Sequence, residues 1–71
     1  MRVSIWRNGA GVWIMVRVFR GYNPEHGDVG DSYESMGGTV GEAIYNGVKD
    51  GNFDGPRVSA ILKHLVRSRG A

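Results

Sequence analysis

With 71 residues, 41% of them hydrophobic, the chain holds enough apolar material for one small core and too little for two, so a single domain over residues 1–71 is expected. The absence of cysteine excludes a disulfide framework, a thiolate nucleophile and a Cys-based zinc site, and fits a reducing, cytoplasmic setting. The formal charge of +2 conceals three blocks: residues 1–20 hold Arg2, Arg7, Arg17 and Arg20 without an acid, residues 21–55 hold all seven acids against Lys49 alone, and residues 56–71 return to Arg57, Lys63, Arg67 and Arg69.

Arg2 to Arg7 and Val12 to Arg20 both alternate, with Asn8-Gly9-Ala10-Gly11 between them, which predicts a hairpin. Val3 and Ile5 share a face with Val12, Ile14, Val16 and Val18, a β-branched surface suited to a core. The opposite face carries Arg2, Ser4 and Trp6 beside Trp13, Met15, Arg17 and Phe19. Several turn positions are open, yet each keeps these two faces intact. Pairing Arg7 with Val12 sets Trp6 across from Trp13 and Arg2 across from Arg17.

No apolar run approaches the ~20 residues of a membrane span, and Arg17 interrupts the longest candidate, Val12 to Phe19. The first residues lack the apolar stretch of a signal peptide, so the chain reads as soluble and unprocessed.

Gly21 to Asp31, with Asn23-Pro24, further glycines and several acids, reads as a long loop. Ser32 to Met36 suits a short third strand, on the β character of Tyr33. Thr39-Val40-Gly41-Glu42 has capping-box spacing and opens a helix whose apolar positions are Val40, Ala43, Ile44, Gly47 and Val48. Gly51 is placed to end it in a left-handed conformation, and Gly41 and Gly47 predict a close approach of helix to sheet. After the linker Asn52-Phe53-Asp54-Gly55, Pro56 suits the first position of a second helix. That helix has an apolar stripe of Val58, Ile61, Leu62, Leu65 and Val66, with Lys63, His64, Arg67 and Arg69 toward its end and Gly70 to stop it. The expected fold is α+β: an antiparallel sheet, made of the hairpin and a short third strand, covered on one face by two α-helices.

Catalytic chemistry finds little footing. Glu25-His26-Gly27-Asp28 gathers ionisable groups in the predicted loop, where solvation explains them better than a metal does. His64 reads as a surface residue of the basic helix. The serines lie in no elbow motif, and Asp28, Asp31 and Glu34 have too little chain around them for a pocket that excludes water. Neither GxxxxGK nor GxGxxG before a helix occurs. A non-enzymatic domain without metal or cofactor is expected.

The informative group is Arg2, Trp6, Trp13, Met15, Arg17 and Phe19 on one sheet face, because Trp and Arg dominate binding hot spots. A protein partner is the first expectation for that face. The loop Gly21 to Asp31 or a second copy of the chain, forming a homodimer, would also cover it. Nucleic acid is the weaker reading, because the acidic middle block repels phosphate unless it faces away. Arg57, Lys63, Arg67 and Arg69 form a second basic surface. The charge blocks themselves allow two readings, an acidic middle folded against basic ends or a polarised binding surface.

Val3-Ser4-Ile5-Trp6-Arg7-Asn8-Gly9 followed by Val12 to Val18, then the helix opened by Thr39, a Gly-containing linker and a last helix ending in Arg67-Ser68-Arg69, resembles a family of small phage-encoded type I anti-CRISPR proteins. The resemblance spans most of the chain. It implies an inhibitor in the host cell cytoplasm that binds Cas7-type backbone subunits of a CRISPR surveillance complex and obstructs pairing of target DNA with the guide. The family's interface aromatic before the Asn-Gly turn matches Trp6. Its acidic interface residue on the next strand falls where this chain has Arg17, so that contact does not carry over. Over residues 1–50, Gly38-Thr39-Val40-Gly41-Glu42-Ala43-Ile44 is similar to the strand-to-helix junction of HicB-like antitoxin domains. That similarity implies an antitoxin or small nucleic-acid-binding regulator. The helix expected at 56–69 departs from it, and Gly41 stands where a better helix former is usual.

Overall fold

Asn8 closes the first turn with its own side chain, its Oδ1 accepting from the Ala10 N–H at 2.8 Å. Around this turn, in a computed structural model describing residues 1–70, β1 (Arg2–Asn8) reverses into β2 (Gly11–Asn23). The register is Arg7 opposite Val12, Trp6 opposite Trp13 and Arg2 opposite Arg17. The alternation therefore holds along the whole pair, and the β-branched face is the buried one.

The expected loop over Gly21 to Asp31 is corrected by the structure. β2 continues to Asn23, turns, and returns as β3 (Gly27–Gly37), more than twice the length of the short strand expected at Ser32 to Met36. The Asn23 side chain accepts from the Glu25 N–H at 2.8 Å, and its carbonyl accepts from the His26 N–H at 3.2 Å. Pro24 presets the bend and Gly27 leaves it with φ 78°, a left-handed conformation natural to glycine. A register shift between Phe19 and Gly21 bulges β2 beside the last residues that pair with β1. Val18 to Asp31 thus forms a two-stranded ribbon projecting past β1, with Arg20 paired to Asp31 at 3.1 Å on its surface. The sheet is antiparallel, open, and ordered β1-β2-β3.

The cap of α1 (Val40–Lys49) follows from its sequence, with one variation. Thr39 is extended, and its hydroxyl accepts from the Glu42 N–H at 3.1 Å; the Glu42 carboxylate reaches one residue further back than a capping box requires, to the Gly38 N–H at 3.0 Å. The other end is a Schellman motif. Gly51 N–H donates to Val48 O and Asn52 N–H to Gly47 O, with Gly51 at φ 79°.

Phe53 then turns inward and is only 2% exposed, so the expected linker supplies a core residue. Gly47 is needed for that reason: a Cβ there would strike the Phe53 ring, so the close approach is to this aromatic and not to the sheet. Gly41 makes no comparable approach. α2 (Gly55–Gly70) begins one residue before Pro56, because Asp54 caps it. The Asp54 carboxylate accepts from the Arg57 N–H at 3.0 Å and its carbonyl from the Val58 N–H at 2.9 Å.

Both helices cover the β-branched face. Ile14, Val16, Ala43 and Ile61 are fully buried with Val12 and Phe53, and Val3, Ile5, Val18, Tyr33, Val40, Ile44, Val58 and Leu65 pack around them. The α2 stripe is used only in part. Leu62 and Val66 stay exposed, because the narrow sheet beneath α2 meets the side that carries Ile61. Neither helix is long and apolar enough to cross a membrane.

Candidate interaction face

Strand register assigns the uncovered face row by row. Trp6, Trp13 and Met36 form the first row, Ser4, Met15 and Glu34 the second, and Arg2, Arg17 and Ser32 the third. Phe19 opposite Gly30 follows. The bulge at Arg20 then changes the strand's parity, so Tyr22 opposite Asp28 falls on this same side. All six residues expected on one face are brought together there, and the ribbon adds Tyr22 and Asp28 while β3 adds Met36 and Glu34.

The Trp6 and Trp13 rings stack with centroids 4.3 Å apart and planes at 24°. They remain 42% and 36% exposed, with Phe19 and Met36 more open still, so among the described residues no segment folds back over them. The segment expected as a loop is committed to the sheet and leaves this face bare. Apolar residues scattered singly are normal on a surface, whereas these are neighbours on one face. Arg17 is steadied by its own sheet, its guanidinium donating to the Ser32 hydroxyl at 3.3 Å. A shallow groove of about 250 Å³ lies between Arg2, Arg17, Phe19 and Asp28.

The face is thus an aromatic platform with cations in its middle row, between the tryptophans and Phe19, and with carboxylates, Glu34 and Asp28, on either side of them. It can take up aromatic or aliphatic side chains by stacking and fix their orientation by ion pairs. Bare phosphate backbone suits it less well, since Glu34 lies between the cations and the tryptophans and Asp28 lines the groove beside Arg2 and Arg17.

The other candidates separate. Arg57 leaves the second basic surface: its side chain is 17% exposed, its guanidinium carbon lies 3.4 Å from the Tyr33 ring centroid, and it donates to Asn52 O at 3.0 Å. Lys63, Arg67 and Arg69 are exposed on α2. His26 is exposed at the ribbon turn and His64 half-buried on α2. Among the described residues no three His, Cys, Asp or Glu side chains come together as a metal site would require. Asp28 and Glu34 lie on the open face, whereas Asp31 points to the other side with Arg20.

Met36, Glu34 and Tyr22 were not expected on this face. For Met36 and Glu34 the signal was present, since extending the alternation of Trp13 and Met15 onto a third strand places them there. For Tyr22 there was none, because a bulge has no reliable mark in a single sequence.

No protein-family model matches the sequence, and neither the curated proteins nor the solved structures contain a match to it.

Proposed function

We propose that the protein is a non-enzymatic inhibitor that binds a protein complex through the open sheet face and occludes it. The observation that carries this reading is the stacked Trp6 and Trp13 pair left solvent-exposed beside Arg2 and Arg17. Rigid aromatics that are already stacked lose little conformational freedom on binding, which favours a preorganised protein contact. The specific form of the proposal is an anti-CRISPR protein blocking target DNA binding by a type I surveillance complex, with Cas7-type backbone subunits as the partner. Its support is the resemblance at Trp6 and the order of elements, sheet first and two helices after.

The test is co-purification. Tagged protein incubated with purified type I surveillance complexes is expected to retain the complex through its Cas7-type subunits, and retention of none of them would overturn the specific form.

The strand-to-helix junction favours a second reading, a HicB-like antitoxin or small nucleic-acid-binding regulator, since Thr39 and Glu42 cap α1 directly after a three-stranded sheet. That reading predicts a gel shift with DNA or RNA in the absence of any protein partner, weakening steeply with salt. An occluding inhibitor predicts no such shift.

A further inference from the structure

The two edges of the sheet are finished differently. On β3 two of the outward carbonyls, at the end nearest α1, are taken by side-chain amides, Asn46 Nδ2 donating to Met36 O at 2.9 Å and Asn52 Nδ2 to Glu34 O at 3.0 Å. A strand approaching there would have to displace both. β1 is paired with β2 alone, and among the described residues no side chain bonds the backbone of Arg2 to Arg7. Its outer row of N–H and C=O groups is therefore available as a template for another strand.

Cations dominate the surroundings of that edge, with Asp28 in the Arg2 groove as an opposing acid. Arg2 and Arg7 lie exposed on the strand itself, and a groove of about 390 Å³ between Met1 and the flank of α2 is lined by Lys63 and Arg67 with no acid. Among the described residues none of these four cations has an ion-pair partner, whereas Arg20 and Arg57 do. A second β1 is a poor occupant, because it would bring its own Arg2 and Arg7 to an edge that already gathers cations.

We infer that the β1 edge docks an extended acidic segment of a partner protein, which adds to the sheet as a fourth strand with its carboxylates beside Arg2, Arg7, Lys63 and Arg67. Main-chain pairing supplies affinity and the cations supply selectivity. The contact shares only Arg2 with the open face, and its main-chain pairing at β1 is tested independently of the inhibitor reading.

The probe is an end-capped peptide of alternating threonine and glutamate, about seven residues long to match a typical strand, titrated into isotope-labelled full-length protein and followed by NMR. The β1 resonances are expected to shift and the outward β1 amides to exchange more slowly with solvent. Substituting proline at the central threonine, or lysine for each glutamate, is expected to abolish both effects. The double variant K63E/R67E, altered only at exposed positions, is expected to keep its fold and bind the peptide about tenfold more weakly. No change in β1 at millimolar peptide, or changes confined to Trp13, Met15 and Met36, would overturn the inference. So would a short thymidine oligonucleotide that shifts the same residues more strongly than the peptide without protecting the amides, because the groove would then be a phosphate site.

Discussion

Arg57 shows how a single residue can be read from its sequence position as surface charge and be used by the fold as packing. Its guanidinium carbon lies over the Tyr33 ring, and the group donates to Asn52 O and stands 3.8 Å from the Asp54 carboxylate. It therefore ties the start of α2 to β3 across the core. Arg57→Ala is expected to lower unfolding free energy by about 1–3 kcal/mol in urea denaturation, combining a lost cation–π contact with an unpaired Asn52 carbonyl. Arg57→Lys should recover less than half of that, since an ammonium cannot reproduce a planar fork against a ring. Thr39→Ala should cost about 1 kcal/mol by the same assay, the usual effect of removing a helix cap. The exposed pair of Arg20 and Asp31 should matter far less, because solvent screens it.

At the scale of elements, Gly47 decides how α1, Phe53 and α2 fit together. In an isolated helix Gly47→Ala would add about 1 kcal/mol of stability through propensity alone. Here the added methyl meets the Phe53 ring, so a net loss of about 1–3 kcal/mol is expected, and a thermal melt that rises instead would contradict the packing described. The first hairpin was legible in the sequence because one face is buried. Val3, Ile5, Val12, Ile14 and Val16 could not slip by one residue without exposing the core. The ribbon from Val18 to Asp31 was illegible for the opposite reason. Neither of its faces is covered by a helix over most of its length, so no hydrophobic period marks it, and its glycines and acids have the composition of a loop. Phe53 escaped because one aromatic between glycines and polar residues has no period at all. In α2 the stripe overstated burial, since periodicity reports which side a helix can bury but not how much sheet lies beneath it. The same limits shaped the candidate face: Trp6, Trp13, Met15 and Arg17 followed from the legible hairpin, and Tyr22 and Asp28 lay beyond it.

The whole molecule segregates its surfaces. The helices and the β-branched side of the sheet make one core, and the acidic middle of the chain is only partly used to neutralise the basic ends, through Arg20 with Asp31 and Arg57 with Asp54. Of the remaining cations, Arg2 and Arg17 lie on the open face and Arg7, Lys63 and Arg67 around the β1 edge. With the two tryptophans more than a third exposed, their removal should weaken recognition far more than folding. The most direct measurement is target-DNA binding by a purified type I surveillance complex titrated with the wild-type protein and with W6A/R17A, each first verified as folded by circular dichroism. The proposed function predicts that the wild-type chain abolishes DNA binding and that the folded double variant leaves it at or near the uninhibited level. DNA binding unaffected by the wild-type protein, or equal inhibition by the double variant, would contradict it.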